Sequence, residues 1–137
     1  MNRLTQLFQR KHRNVLNIYF TAGYPGLEST VPIITALGEA GADLVEIGMP
    51  YSDPMADGET IQQSSMQALG NGMSLRLLFE QIAEARQQTE IPLVLMGYYN
   101  QVMQYGPDDV IVVCLSGRGD KDLAAYSAYL DSDSLTQ

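Results

Sequence analysis

The stretch Gly41-Ala42-Asp43-Leu44-Val45-Glu46-Ile47-Gly48-Met49-Pro50-Tyr51-Ser52-Asp53-Pro54-Met55-Ala56-Asp57-Gly58 decides the fold. Its first half is a short apolar run carrying one acid. Its second half holds two prolines and two aspartates, and proline and aspartate are turn formers. The pattern predicts a strand over 44–48 and a long loop over 49–58. In a strand, alternate side chains share a face, so Leu44, Glu46 and Gly48 point one way. A carboxylate there is costly to bury unless it is partnered or its pKa is raised. A raised pKa suits acid–base work near neutral pH. A salt-bridged structural glutamate is the other reading. Asp53 and Asp57 also read as turn formers, and Asp57 as a cap for the helix that follows.

Outward from this stretch the chain alternates strand and helix. Residues 15–21 are rich in β-branched, aromatic and aliphatic side chains and end in Ala22-Gly23-Tyr24-Pro25-Gly26, a strand and its turn. Residues 27–40 carry Val31, Ile34, Leu37 and Ala40 near helical spacing. Pro32 falls in the first turn, where proline is tolerated, and Gly41 gives the stop. Residues 60–69 predict a helix closed by Gly70-Asn71-Gly72. Ser74 is a good N-cap for a further helix with Leu75, Leu77, Leu78, Phe79, Ile82 and Ala83 apolar. Residues 91–96 form a continuous apolar run of the kind found in buried parallel strands. This order predicts βαβ units and a parallel sheet. Residues 1–11 predict an N-terminal amphipathic helix with Leu4, Leu7 and Phe8 inward. Residues 110–115 predict another strand, 120–130 a short helix and 131–137 a polar tail.

The chain has 137 residues, formal net charge −8 and 45% hydrophobic residues. Acidity of this size argues against nucleic-acid binding. No apolar run approaches the roughly 18 residues of a membrane helix. The start has no apolar run behind its basic residues, so it does not read as a secretory signal. The single Cys114 cannot form an internal disulfide. A cytoplasmic protein with no membrane partner is the expectation. Charge is uneven: residues 1–13 carry Arg3, Arg10, Lys11 and Arg13 with no acid, while 107–137 carry six aspartates against Arg118 and Lys121.

The 41–58 string closely resembles the signature of the tryptophan synthase α subunit. Tyr19-Phe20-Thr21-Ala22-Gly23-Tyr24-Pro25, Thr60-Ile61-Gln62 and Met96-Gly97-Tyr98-Tyr99-Asn100 match the family's pattern in order and spacing. The resemblance spans residues 1–106. It implies an α/β fold, a truncated (β/α)₈ TIM barrel of about three β/α units, because a complete barrel needs about 250 residues. It implies a lyase of tryptophan biosynthesis that cleaves indole-3-glycerol phosphate to indole and glyceraldehyde 3-phosphate without metal or cofactor. Glu46 is then the proton-transferring acid/base, and Asp57 the acceptor of the indole N–H. Tyr19 falls where the family places an aromatic against the indole, and Tyr98 and Asn100 fall near the pocket and the surface facing the β subunit. Each of these three also reads as a packing or turn residue. Glu59 stands where the family usually has proline, which adds a carboxylate beside Asp57 and loosens the loop.

After Gly106 the texture changes. Residues 107–122, with Leu115-Ser116-Gly117-Arg118-Gly119-Asp120-Lys121-Asp122 at their core, resemble the C-terminal end of the tryptophan synthase β subunit. There the residue matching Ser116 contacts pyridoxal phosphate. The β family's Schiff-base lysine and phosphate loop have no counterpart here, so the expectation is no cofactor on this chain. The sequence thus predicts an α-like segment, 1–106, followed by a β-like segment, 107–137. The family's implied partner is the β subunit, in an α₂β₂ complex. The expected activity is impaired, because the family's phosphate-binding units lie beyond the α-like segment. The alternatives are a non-catalytic fragment that binds a β subunit and a non-functional fusion remnant.

Overall fold

A computed structural model describes residues 2–52 and 57–98. They fall in one unit, Met1–Gln104. The expected strand over 110–115, the helix over 120–130, Asn100, Ser116 and the whole 107–137 segment lie outside the described residues.

Helix α1 spans Arg3–Arg10. Asn2 caps it, its side chain accepting from the Thr5 amide at 2.8 Å. Leu7 is fully buried, but Phe8 is exposed, so only part of the expected inward stripe turns inward. Strand β1 is Asn17–Thr21, two residues shorter at its start than the expected 15–21. Asn14 has positive φ, and Leu16 is tied to the turn before the next strand, its carbonyl accepting from the amides of Asp43 and Leu44. These contacts draw residues 14–16 out of the ladder.

A single 3₁₀ turn, Leu27–Ser29, precedes helix α2, Thr30–Glu39. Pro32 sits in the first turn of α2, where its missing amide has no intrahelical partner to lose. Gly41 adopts φ +89°, the left-handed stop that glycine makes without steric cost. Strand β2 is Leu44–Gly48, as expected. Helix α3 is Glu59–Gly70 and helix α4 is Leu75–Ala85. Ser74 caps α4, its hydroxyl accepting from the Leu77 amide at 3.3 Å. The buried stripe of α4 is Leu78, Gln81 and Ala85, whereas Phe79 is exposed. The polar Gln81 is admitted to that stripe because its amide donates to the Leu27 carbonyl at 2.9 Å. Strand β3 is Leu93–Met96, shorter than the expected 91–96.

The three strands form one parallel sheet in sequence order, β1-β2-β3. The register aligns Tyr19 with Glu46 and Glu46 with Val94. Strand alternation then sets Asn17, Tyr19, Thr21, Leu44, Glu46, Gly48, Val94 and Met96 on one face. Ile18, Phe20, Val45, Ile47, Leu93 and Leu95 take the other. Val45 and Ile47 are fully buried on the middle strand. Helix α2 packs on α4 and against β2, and α3 packs against β1. Ile34 of α2 and Leu78 of α4 are fully buried. Each such side chain contributes about 1.5–3 kcal/mol on burial. Helix α3 also reaches the Glu46 face at Thr21, whose hydroxyl meets Ser64.

Candidate active site

The site lies at the C-terminal ends of the strands and in the loops beyond them. Glu46 is half-buried on the middle strand. Its carboxylate accepts from the Asn17 side-chain amide at 2.7 Å, one strand away on the same face. Among the described residues the ion pairs are Arg3–Glu90, Lys11–Asp43 and Arg76–Glu80. The salt-bridged reading of Glu46 therefore fails there, and its recorded partner is a neutral amide.

Asp57 is held from two sides. Its carboxylate accepts from the Tyr98 hydroxyl at 3.1 Å, and its carbonyl accepts from the Gln62 amide at 2.8 Å. It does not cap α3, because Gly58 occupies that position. The Asp57 side chain is left to point at the end of β3, where Tyr98 follows Met96 by two residues. The Tyr98 ring stacks on Tyr51 with centroids 4.7 Å apart and planes 24° from parallel. Tyr98 thus joins the loop after β2 to the end of β3.

Tyr19 stands beside Glu46 in the register. Its ring lies across Gly48, where any Cβ would overlap the phenol. The absence of a side chain at Gly48 is what lets the ring lie flat on the sheet. Burial pushes the Tyr19 phenol above its ordinary pKa, the hydrogen bond with Thr21 pulls it back, and the charges of Asp57 and Glu46 push it up. Its hydroxyl lies 3.2 Å from Thr21 Oγ1, which lies 2.7 Å from Ser64 Oγ.

Asp57 and Tyr98 thus meet beyond the strand ends, while Glu46 and Tyr19 stand side by side within the sheet on one face. Sequence reasoning missed Asn17, Thr21, Tyr51 and Ser64. Thr21 was available from alternation, two residues beyond Tyr19. Ser64 carries no signal of its own, since its role depends on α3 lying against β1. Among the described residues, no group of three or more His, Cys, Asp or Glu side chains is placed to hold a metal. None of their helices is long and apolar enough to cross a membrane. A cleft of about 260 Å³ lies between the loop after β2 and helices α3 and α4, with Pro50, Tyr51, Met73 and Leu78 in its wall. It touches neither Glu46 nor Tyr19.

A parallel sheet of β/α units, with Asp57 in the loop beyond β2, is a portion of a β/α barrel. The family model described as tryptophan synthase alpha chain matches residues 5–117. The chain belongs to the tryptophan synthase alpha chain family. It is 48% identical over 131 residues to the tryptophan synthase alpha chain of Parabacteroides distasonis, covering 96% of this chain and 51% of that one. The fold is similar to tryptophan synthase subunit alpha from Legionella pneumophila, with TM-score 0.71 and 36% identity over 77% of this chain and 42% of the other. It is also similar to a chain of the tryptophan synthase complex from Pyrococcus furiosus, with TM-score 0.62 and 45% identity over 68% of this chain and 38% of that one. The chain spans about half the length of the curated relatives it matches. The family match runs to residue 117, past Gly106, where the sequence reading ended the α-like pattern.

Proposed function

We propose that this chain carries the two carboxylates of a tryptophan synthase α-type lyase, acting on indole-3-glycerol phosphate in tryptophan biosynthesis. The observation that carries the reading is Glu46 standing beside Tyr19 on one sheet face, with Asp57 held by Tyr98 just beyond the end of β3. Glu46 is the acid/base. It gives a proton to the indole ring carbon that bears the side chain and helps remove the proton of the adjacent side-chain hydroxyl. The carbon–carbon bond then breaks, the hydroxyl carbon becomes the aldehyde of glyceraldehyde 3-phosphate, and indole leaves. Asp57 accepts a hydrogen bond from the indole N–H, which strengthens as positive charge develops there, so its effect falls mainly on the transition state. Tyr98 orients Asp57 through its hydroxyl. Tyr19 packs against the indole, and the family resemblance assigns Asn100 to substrate binding.

The proposed partner is a tryptophan synthase β subunit, in an α₂β₂ complex, and the proposed setting is the cytoplasm. The reaction on this chain uses no metal and no cofactor; pyridoxal phosphate belongs to the β subunit. Residues 107–122 we assign to β-like sequence, with Ser116 at the position that contacts pyridoxal phosphate in that family. The α-family match over 107–117 competes with this assignment. A nucleotide read across the codon for Pro107 decides whether the two segments belong to one gene.

The test is indole formation from indole-3-glycerol phosphate by the full chain, alone and with a β subunit. Glu46→Gln is expected to lower kcat by about 10²- to 10⁴-fold with the fold unchanged by circular dichroism. A folded chain that makes no indole in either setting sinks the catalytic reading. Capture of that chain by the β subunit in a pull-down then supports a binding role instead.

A further inference from the structure

Three hydroxyls and one carbonyl form a chain behind Tyr19. Ser64 Oγ lies 3.0 Å from the Ile61 carbonyl, Thr21 Oγ1 lies 2.7 Å from Ser64 Oγ, and the Tyr19 hydroxyl lies 3.2 Å from Thr21 Oγ1. A hydroxyl has one proton to donate, and a carbonyl has none. The direction of the whole chain follows from its far end. With Ser64 donating to Ile61, its oxygen is left to accept from Thr21. Thr21 then donates to Ser64 and can only accept from Tyr19. Tyr19 donates to Thr21, and its oxygen has lone pairs alone to offer on its other side.

The surroundings hold this arrangement in place. Thr21 is buried, so water does not readily substitute for either of its neighbours. The ring is laid against Gly48, which has no side chain to lift it. Glu46 stands beside Tyr19 in the register on the same face, and the charges of Asp57 and Glu46 act on the phenol. Those two carboxylates are acceptors when ionised, so neither competes for the Tyr19 lone pairs.

We infer that Ser64 is a positioning residue which, acting through Thr21, orients the Tyr19 hydroxyl so that a ligand meets it only as an acceptor, and that the site therefore selects a ligand offering an N–H or O–H there. The identity of the ligand rests on the lyase reading above; the direction of the hydroxyl chain does not. Indole-3-glycerol phosphate offers both kinds of donor, its ring N–H and its side-chain hydroxyls. A ligand with neither leaves the Tyr19 oxygen unpaired in a half-buried position, which costs affinity.

Two measurements on the full chain test this. The first titrates Tyr19 by the ¹³C shift of its ring carbon Cζ, without ligand, in the wild type, Ser64→Ala and Thr21→Ser. Alanine is a better helix former than serine, so Ser64→Ala keeps α3. Loss of the Ser64 acceptor frees the Thr21 proton to turn towards Tyr19 and stabilise the phenolate. The Tyr19 pKa is expected to fall by on the order of one unit in Ser64→Ala. In Thr21→Ser, which keeps the hydroxyl, it is expected to stay at the wild-type value. An unchanged or raised pKa in Ser64→Ala overturns the directed chain.

The second measurement compares binding of indole-3-ethanol, its O-methyl ether and its N-methyl derivative. In the wild type, O-methylation is expected to weaken binding by about tenfold through Tyr19, while N-methylation reads the bond assigned to Asp57. In Ser64→Ala, where Tyr19 can itself donate, the effect of O-methylation shrinks. Equal discrimination in both proteins overturns the selection. Binding of none of the three probes overturns the selection together with the lyase reading, while the titration still decides the direction of the hydroxyl chain.

Discussion

The two ends of the sheet are fastened by different chemistry. At the N-terminal end, charge does the work. Lys11 pairs with Asp43 at 2.6 Å, Asp43 also accepts from the Leu16 amide at 2.7 Å, and Arg3 pairs with Glu90. Arg86 donates to the Ile91 carbonyl just before β3. At the C-terminal end the fastenings are neutral. Asn71 donates to the carbonyls of Gly23 and Pro25, Gln67 donates to Pro25, and Thr30 accepts from the Gly23 amide. Gly23 adopts φ +76° and packs so closely on Met73 that no side chain fits there. The physical consequence bears on function. A cation among these fastenings would place a fixed positive charge beside the site loops. Amides and hydroxyls position the same loops without adding a fixed charge.

This difference can be broken or sharpened by substitution. The largest effect on stability is expected from Ile47→Ala, because Ile47 is fully buried at the centre of the middle strand and serves both ends. Chemical denaturation should show a loss of about 2–5 kcal/mol. Amide exchange should quicken at both ends together; quickening at one end alone would mean that the two fold as separate units.

Gly48→Ala should act on the site end only. The new methyl meets the Tyr19 ring, and overpacking of this kind costs about 1–3 kcal/mol. The low end is expected, because the half-buried ring tip can swing outward. Its displacement should separate Tyr19 from Thr21, visible as a changed Tyr19 ring spectrum while signals from Lys11 and Asp43 stay in place.

Acid and salt should act on the other end, with the smallest effect. Asp43 is held below its ordinary value of 3.8 by the Leu16 amide and then by Lys11. Glu90 is held below 4.5 by its bond to Arg3. Carboxyls with lowered folded-state values contribute fully above their ordinary pKa, and that contribution is lost as pH falls through the folded values. Stability should therefore hold at pH 6 and decline as pH drops below about 4. Amide exchange in α1 should quicken first. Concentrated salt should loosen α1 in the same direction, since exposed pairs are screened. If the loops around Gly23 and Asp57 loosen equally under salt, the contrast between the ends is wrong.

Much of this molecule was legible in local sequence, for identifiable reasons. Strand β2, the caps at Ser74 and Gly41 and the tolerated Pro32 depend on residues a few positions apart. So does the placement of Glu46 and Tyr19 on one face, which needs only alternation. Phe79 is exposed against expectation and Gln81 carries no signal of burial, because helical spacing alone cannot tell which side of an apolar helix the sheet will take. Gln81 is buried because a carbonyl from a turn 54 residues away meets it. Residues 15 and 16 were counted into β1 because their side chains favour a strand, while the positive φ at Asn14 and the bonds to Asp43 and Leu44 placed them outside it.

The sequence by itself determined the order of strands and helices, the family and the placing of Glu46 on β2, because each is written in neighbouring residues and recurring strings. Only the tertiary structure decided that Asn17 partners Glu46, that Tyr98 rather than a helix end holds Asp57, and that Ser64 stands behind Tyr19. Those contacts join residues 29, 41 and 43 positions apart. Hydrogen bonds between such distant groups exist only after strands and helices have packed, so no local pattern records them.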